Sequence, residues 1–131
     1  MNDIKKTTIL IVEDDRTINK VYSDELKDSG FDVLSAYDGV EGLSVATNKQ
    51  PSLILLDILM PSMDGLMMMD NIRKLGTYGK RVPIILLTNL SADEERIMQA
   101  IVKNEPAYYI IKSDWNLVDV VDKINERLSR V

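Results

Sequence analysis

The stretch "TTILIVEDDRT", residues 7–17, joins an apolar run directly to three consecutive acids, Glu13, Asp14 and Asp15. A short, continuous apolar run such as residues 9–12 is typical of a parallel strand that is buried on both faces of its sheet. Carboxylates this close together repel one another, and a cation among them relieves the repulsion. The stretch therefore predicts a buried parallel strand that ends in a group of acids able to hold a cation.

Further apolar runs repeat this pattern along the chain. "SLILL" (52–56), "VPIILLT" (82–88) and "YYIIK" (108–112) are nearly continuous, as expected for strands buried on both faces. "FDVLSA" (31–36) instead alternates apolar and polar residues, which is typical of a strand at the edge of a sheet. The chain is therefore expected to contain five strands, with the second at an edge.

Helical patterns fill the intervals between the strands. Asp38 and Glu41 have capping-box spacing at a helix start, and the third helix is expected from about 64 to 75. "GTYGKR" (76–81) is predicted to be a loop, and Asp114 is expected to cap the last helix. Two helices carry apolar residues at helical spacing: Ile18, Val21, Tyr22 and Leu26 in residues 16–29, and Val118, Val121, Ile124 and Leu128 in residues 114–130.

Five repeats of strand and helix predict an α/β fold, namely a flavodoxin-like, doubly wound (βα)5 sandwich of three layers with a parallel sheet. Right-handed crossovers favour the strand order 2-1-3-4-5, which also places the second strand at an edge. At 131 residues, 45% hydrophobic and 28% charged, the chain is expected to be one domain, residues 1–131. In such sheets, ligands bind beyond the carboxyl ends of the strands, here between strands 1 and 3.

The composition excludes several kinds of site. The chain has no cysteine and no histidine, so disulfides, thiolate or imidazole metal sites and Ser-His nucleophiles are excluded. A net charge of −5 argues against nonspecific binding to nucleic acid. The polar N-terminus does not resemble a signal peptide, and no apolar run reaches membrane-span length, so a cytoplasmic protein without membrane contact is expected.

Polar side chains that can bind a cation or take part in a reaction stand at the ends of four strands. Glu13 and Asp14 follow strand 1, whereas Asp57, Thr88 and Lys112 end strands 3, 4 and 5. Because the carboxyl ends of parallel strands meet at one edge, these side chains are expected to lie close together. A set of ligands made up only of carboxylates suits Mg²⁺. The hydroxyl of Thr88 and the amine of Lys112 can position phosphoryl oxygens. Asp57, the single acid at the tip of the central strand, is the candidate nucleophile for an aspartyl-phosphate.

These residues sit in motifs that resemble those of a known family. "ILIVEDD", "LILLDILMPSMDG", "ILLT" and "YYIIK" occur in the order and at separations that match the receiver domains of two-component response regulators. The resemblance extends over essentially the whole chain. It implies a phosphoacceptor signalling domain, which is not an enzyme in the ordinary sense because it catalyses only its own phosphorylation and dephosphorylation.

The resemblance also implies roles for the strand-end residues. Asp57 matches the phosphoacceptor, which receives its phosphoryl group from a sensor histidine kinase or a phosphotransfer protein. Glu13, Asp14 and Asp57 match the Mg²⁺ ligands, together with the backbone carbonyl two residues after the acceptor, here Leu59. By contrast, Asp15 is expected to cap or begin the first helix.

The switching residues follow from the same resemblance. Thr88 matches the switch hydroxyl and Lys112 the lysine that contacts the phosphoryl group. Tyr109, three residues before the lysine, matches the aromatic switch residue. Output is expected through a downstream protein partner on the face formed by the fourth helix, the fifth strand and the fifth helix. The sequence leaves dimerisation and the identity of the kinase open.

The chain departs from the family pattern at three places. Ser113 stands where a cis-proline usually follows the lysine, so a trans peptide bond is expected there. Asn89 stands where a small residue usually follows the switch hydroxyl. Glu105-Pro106 replaces a usual Gly-Ala pair, and Asn104 is expected to take the left-handed conformation that glycine would have held.

Two alternatives remain open. A Mg²⁺-dependent phosphatase with an aspartyl nucleophile usually needs a second acid two residues after that nucleophile, where this chain has Leu59. A phosphorylation-independent, receiver-like protein-binding module is left open by Asn89 and Ser113. We expect a receiver without an attached effector domain. The resemblance implies that the positions of Leu59 and Leu90 affect how water reaches the aspartyl-phosphate, and we expect slow hydrolysis because leucine cannot hydrogen-bond that water.

Overall fold

The computed structural model describes residues 7–88, 94–111 and 116–129, which contain five strands separated by helices, with two consecutive helices between the third and fourth strands. The expectations for Asn89, Leu90, Lys112 and Ser113 fall outside these ranges. The strands are β1 (Thr8–Val12), β2 (Asp32–Ala36), β3 (Leu53–Asp57), β4 (Ile84–Thr88) and β5 (Tyr108–Ile111). The helices are α1 (Arg16–Asp28), α2 (Gly39–Lys49), α3 (Gly65–Ile72), α4 (Gly76–Arg81), α5 (Glu94–Asn104) and α6 (Leu117–Leu128).

The five strands form one parallel sheet in the order β2-β1-β3-β4-β5, so the predicted flavodoxin-like topology is confirmed. At the carboxyl edge, Val12 pairs with Ala36 on one side and Leu56 on the other. Further along this edge, Asp57 pairs with Leu87, and Thr88 pairs with Ile111. The register therefore brings the ends of β1, β3 and β4 to one rim.

Alternate residues of the strands face two separate apolar cores, which makes the molecule a three-layer sandwich. One core lies under α2, α3 and α5, and the other lies under α1 and α6. From the central strands, the first core receives Leu10, Val12, Ile54, Leu56, Ile84 and Leu86, and the second receives Ile9, Ile11, Leu53, Leu55, Ile85 and Leu87. These strands are buried on both faces, as their unbroken apolar sequences predict.

Residues 76–81 form the short helix α4, so the predicted loop is wrong. The composition resembles a loop, but tertiary contacts stabilise the helical turn. The Tyr78 hydroxyl donates a hydrogen bond of 2.7 Å to the Pro51 carbonyl oxygen. Gly79 lies so close to the end of α3 that an added Cβ would stand 1.9 Å from the Ile72 carbonyl oxygen. Only a residue without a side chain permits this approach.

The buried faces of α1 and α6 differ in part from the predicted ones. Val21 and Val118 were expected to face the core, but they are 51% and 59% exposed. On α1 the fully inward positions are instead Asn19, Ser23 and Leu26. Two of these three are polar, and a search for apolar residues at helical spacing therefore passes over them. On α6 the buried residues are Val120, Val121 and Ile124.

Of three helix ends predicted from the sequence, one is confirmed and two are wrong. Asp38 caps α2 and accepts a 2.7 Å hydrogen bond from the Glu41 N–H, as predicted. Asn116, rather than Asp114, caps α6 in a capping box. After α5, the left-handed residue is Glu105, with φ of 47°, while Asn104 ends the helix. The Asn104 carbonyl oxygen accepts a 2.8 Å hydrogen bond from the Arg73 side chain.

Candidate functional site

The end of β1 places its three acids in different surroundings. Glu13 is buried, with 4% of its surface exposed, whereas Asp14 and Asp15 are exposed. Asp15 caps α1, as predicted, by accepting hydrogen bonds from the N–H groups of Thr17 and Ile18 at 2.9 and 3.1 Å. The Asp15 N–H in turn donates to the Glu13 carboxylate at 3.2 Å. Asp15 therefore belongs to the start of α1, and Glu13 and Asp14 remain as the two candidate cation ligands at the end of β1.

Asn19 fixes the backbone on which this pair stands, and sequence reasoning missed it. Its side-chain amide donates to the carbonyl oxygens of Glu13 and Ala36, both at 3.1 Å, from a position that is 1% exposed. The Glu13 N–H donates to the same Ala36 carbonyl, also at 3.1 Å. The ends of β1 and β2 are therefore tied together through one buried amide. The signal that could have revealed the role of Asn19 is a polar residue among the positions of α1 that face the core.

Asp57 stands at the tip of the central strand and is 6% exposed. The residue after Asp57 is bonded to the neighbouring strand, because the Ile58 N–H donates to the Leu87 carbonyl oxygen at 3.0 Å. The following loop folds back to this point, where the Gly65 N–H donates to the Ile58 carbonyl oxygen at 2.8 Å. An added Cβ at Gly65 would stand 2.2 Å from the Asp57 carbonyl oxygen. The start of α3 is therefore in direct contact with the backbone of Asp57, and this requires glycine.

The carboxylates of Glu13, Asp14 and Asp57 meet at the rim, as the strand pattern predicts. One carboxylate oxygen from each of the three lies within 4.8 Å of the others. Two of these side chains are buried, whereas Asp14 opens the group to solvent. An all-oxygen donor set with solvent access suits a hard cation that keeps several water ligands, as Mg²⁺ does.

Two further residues of the predicted site, Thr88 and Leu59, differ in exposure. Thr88 ends β4 beside Asp57 and is 1% exposed. Leu59, two residues after Asp57, is 46% exposed, so nearly half of its surface is accessible to solvent. Lys112, the residue immediately after β5, lies outside the described ranges. Its predecessor Ile111 pairs with Thr88.

Tyr109 lies on β5, away from the acidic cluster, at the edge of a cleft between β5 and α5. The cleft has a volume of about 180 Å³, and Ile97, Met98 and Glu94 also line it. Tyr109 is 37% exposed, so its ring is partly in solvent. Partial burial, followed by the nearby charge of Glu94, raises the pKa of the Tyr109 hydroxyl above its ordinary value.

An ion pair connects the loop after Asp57 to α5, and sequence reasoning did not foresee it. Arg96 approaches both carboxylate oxygens of Asp64, at 2.7 and 3.0 Å, while Asp64 also caps α3. Burial alone would raise the pKa of Asp64, but the hydrogen bonds from Arg96 and from the Met67 N–H bring the net pKa below its ordinary value. The carboxylate therefore stays charged, and α5 is linked to the loop that follows Asp57.

Comparison with protein families identifies this arrangement. The sequence model of the response regulator receiver domain matches residues 9–125. The chain belongs to the response regulator receiver family. Receiver domains are signalling domains of two-component systems rather than classical enzymes, and they interact with histidine kinases and downstream effectors. They typically bind Mg²⁺ at an acidic cluster of the kind found here.

Curated relatives of this receiver domain are longer proteins. It is 38% identical over 94 residues to a probable transcriptional regulator, ycf27, of Porphyridium aerugineum. It is 37% identical over 89 residues to the response regulator MprA of a Mycobacterium species. These matches cover 72% and 68% of this chain but only 38% and 37% of the relatives. The chain thus spans little more than a third of their length.

Solved receiver structures agree with the fold over nearly the whole domain. A CheY-like receiver domain protein from Methanospirillum hungatei is 30% identical, with a TM-score of 0.85, and the match covers 95% of this chain and 94% of that one. The chemotaxis protein CheY4 of Vibrio cholerae is 25% identical, with a TM-score of 0.82 and coverage of 93% and 98%. Within the described ranges, no helix combines the length and apolar character needed to cross a bilayer.

Proposed function

We propose that this receiver domain accepts a phosphoryl group on Asp57 with the aid of Mg²⁺ and passes the signal to a protein partner. The observation that most supports the proposal is the position of Asp57. It is a nearly buried carboxylate at the tip of the central strand, grouped with Glu13 and Asp14 within 4.8 Å. Such a group is costly in the absence of a cation and is well placed to hold one beside the reacting carboxylate.

In the proposed reaction, an Asp57 carboxylate oxygen attacks the phosphorus of a phosphohistidine on the kinase or phosphotransfer protein. A P–O bond forms, the P–N bond breaks, and the histidine nitrogen leaves with the bonding electron pair. Bound Mg²⁺ would offset the negative charge of the carboxylates and of the phosphoryl oxygens. Glu13 and Asp14 supply oxygen ligands, Leu59 supplies its backbone carbonyl, and Asp57 has a double role as ligand and nucleophile.

Thr88 and Lys112 are proposed to bind the phosphoryl oxygens after transfer. Thr88 is buried one strand away from Asp57, which makes its hydroxyl a candidate donor to the new group. A shift of Thr88 towards the phosphoryl group would change the packing between β4 and α5. Tyr109, which borders the cleft against α5, is the proposed reporter of this change. Its ring would move from partial exposure into the cleft.

The proposed output surface is formed by α5, β5 and α6, which are the fourth helix, fifth strand and fifth helix of the sequence prediction. Large apolar side chains are exposed on all three elements: Met98 at 56% and Val102 at 76% on α5, Tyr109 on β5, and Val118 at 59% on α6. Met98 and Val102 are four residues apart and therefore share one face of α5. A partner that covers these residues would remove apolar surface from water.

Mass spectrometry after incubation with acetyl phosphate and Mg²⁺ tests the phosphoacceptor. Wild type should gain about 80 Da, the mass of one HPO₃ group, and Asp57→Asn should not. Asp15→Asn is the matched control, because asparagine caps a helix as well as aspartate does, and this variant should gain the same mass. A gain that persists in Asp57→Asn would overturn the assignment. No gain in either protein would favour the phosphorylation-independent binding module.

A Mg²⁺ titration tests the acidic cluster separately. Wild type should bind the ion saturably, and Asp14→Ala should abolish the binding because it removes the solvent-facing ligand. Asp15→Asn should bind as wild type does, since Asp15 serves α1. Equal binding by wild type and Asp14→Ala would contradict the proposed ligand set.

A further inference from the structure

A polar cavity lies at the opposite edge of the sheet from the acidic cluster. Its volume is about 350 Å³, and its walls include Val82, Pro83 and Ala107, which immediately precede β4 and β5. We call it the basic cavity, because five cationic side chains line it: Arg73, Lys80, Arg81, Lys103 and Arg127. Neither the sequence pattern nor the proposed phosphorylation chemistry accounts for it.

Arg73 gives the basic cavity a fixed wall. Its guanidinium donates to the carbonyl oxygens of Asn104 at 2.8 Å, Gly79 at 2.9 Å and Val82 at 2.7 Å. A longer contact of 3.4 Å reaches the Glu105 carbonyl oxygen. These bonds connect the end of α4 to the end of α5 and satisfy carbonyl groups that helix ends leave without partners. Hydrogen bonds within the protein therefore hold this wall of the cavity in place.

The remaining cations exceed the local negative charge. Glu105 is the single acid among the residues that line the basic cavity. Lys103 forms an ion pair of 2.6 Å with Asp70. Within residues 7–88, 94–111 and 116–129, no carboxylate forms an ion pair with Lys80, Arg81 or Arg127. Excess positive charge is thus gathered in one place on a protein whose net charge is −5.

The helix dipole explains part of this pattern but not all of it. Cations are favoured in the last turn of a helix, and the ends of α4, α5 and α6 all contribute one or more here. Lys27 and Lys49 occupy the same kind of position on α1 and α2. They line a different cavity, however, together with Asp32 and apolar side chains. The dipole therefore accounts for cations at helix ends, whereas the basic cavity concentrates five of them.

We propose that the basic cavity binds a short phosphate chain, of the diphosphate or triphosphate class. Arginine donates paired hydrogen bonds that match phosphate oxygens, and lysine adds a compact positive charge. A diphosphate carries about three negative charges at neutral pH, which balances the net positive charge that remains when Glu105 and Asp70, the partner of Lys103, are set against the five cations. The site is independent of Asp57, because it lies at the other edge of the sheet and needs no divalent ion.

Calorimetric titration with inorganic pyrophosphate, in buffer stripped of metal ions, tests the basic cavity. Wild type should bind saturably, and the double variant Lys80→Gln/Arg81→Gln should bind at least about tenfold more weakly. Lys27→Gln/Lys49→Gln is the matched control, because it removes two last-turn cations from the other cavity. It should bind as wild type does. Equal weakening in both doubles, or no saturable binding by wild type, would overturn the proposal.

Amide chemical shifts locate the ligand and identify its source. Pyrophosphate should shift the amides of residues 79–82, 103–105 and 107, and shifts confined to other residues would overturn the assignment. Tripolyphosphate and ATP are then compared on wild type. Equal or weaker binding of ATP indicates that the phosphate chain alone is recognised, whereas tighter binding of ATP indicates a nucleotide. Both double variants should fold, because they leave Arg73 and its carbonyl partners intact. Circular dichroism checks this.

Discussion

Replacement of Gly65 by alanine should separate the stability of the fold from the position of Asp57. The new methyl group would stand 2.2 Å from the Asp57 carbonyl oxygen and 2.9 Å from the Asp57 carbonyl carbon and the Ile58 Cα. All three are backbone atoms, so no side-chain rotation can relieve the contact. Ordinary van der Waals contact begins at about 3.4 Å, so the start of α3 and the Asp57 backbone must separate by about 1 Å.

The energetic cost follows from what this movement breaks. The 2.8 Å hydrogen bond from Gly65 to Ile58 is lost, at about 1 kcal/mol. Overpacking against a fixed backbone costs a further 1–3 kcal/mol or so. The free energy of unfolding should therefore fall by about 2–4 kcal/mol. Because a displacement of about 1 Å can cost a hundredfold in rate, phosphorylation of Asp57 should slow by about that factor.

Urea unfolding and the rate of mass gain with acetyl phosphate measure the two effects. Gly76→Ala is the control, since nothing lies within 4 Å of its added Cβ but φ is +63°. It should lose only about 1 kcal/mol, from backbone strain, and should phosphorylate at the wild-type rate. If Gly65→Ala were no less stable than Gly76→Ala, or phosphorylated normally, the argument from close approach would be refuted.

Three further substitutions test other parts of the site. Asn19→Ala should lower the free energy of unfolding by about 1–3 kcal/mol in urea unfolding, because two carbonyl groups lose a buried donor. The Arg96 partner keeps the pKa of Asp64 low, so this pair stabilises the fold above about pH 3.8 and the stabilisation is lost as pH falls further. Unfolding from pH 6 to pH 2 should therefore show the difference between wild type and Asp64→Asn shrinking at low pH. Leu59→Asn should shorten the lifetime of the aspartyl-phosphate, which we expect to be minutes or longer, because asparagine can hydrogen-bond the attacking water.

Each of these expectations has an outcome that contradicts it. Asn48→Ala, on an exposed face of α2, is the control for Asn19→Ala and should leave the free energy of unfolding nearly unchanged. A similar loss of unfolding free energy in both variants would contradict a special role for Asn19. A stability difference for Asp64→Asn that stays constant to pH 2 would mean that the carboxylate charge does not matter. Leu59→Met keeps an apolar side chain and should preserve the lifetime. A wild-type lifetime of only seconds at neutral pH with Mg²⁺ would disprove slow hydrolysis.

The order of elements could be predicted from the sequence because buried parallel strands need continuous apolar runs. The runs at residues 52–56 and 82–88 each contain an observed strand, and the alternating run at 31–36 is the edge strand β2. The acidic cluster could be predicted for the same reason. Once the topology is known, the ends of β1 and β3 must be neighbours, whatever separates them along the chain.

Local signals failed where long-range contacts decide the conformation. Residues 76–81 have the composition of a loop, yet Tyr78 and Gly79 hold them as a helix through Pro51 and Ile72. Glu105 adopts a left-handed conformation beside a carbonyl network centred on Arg73, 32 residues away in sequence. No window of neighbouring residues contains both partners of such contacts.

By itself, the sequence determined the family, the sheet and the acids that meet at its carboxyl edge, because hydrophobic periodicity and strand topology act through residue type and order. Only the tertiary structure decided how those acids are supported. Asn19 joins two strand ends, Gly65 admits α3 against Asp57, and Arg96 connects α5 to the following loop. The tertiary structure also decided that cations at the C-terminal ends of α3, α4, α5 and α6 line one cavity. The reason is physical: a hydrogen bond, a close approach or an ion pair depends on distances in space that residue order does not specify.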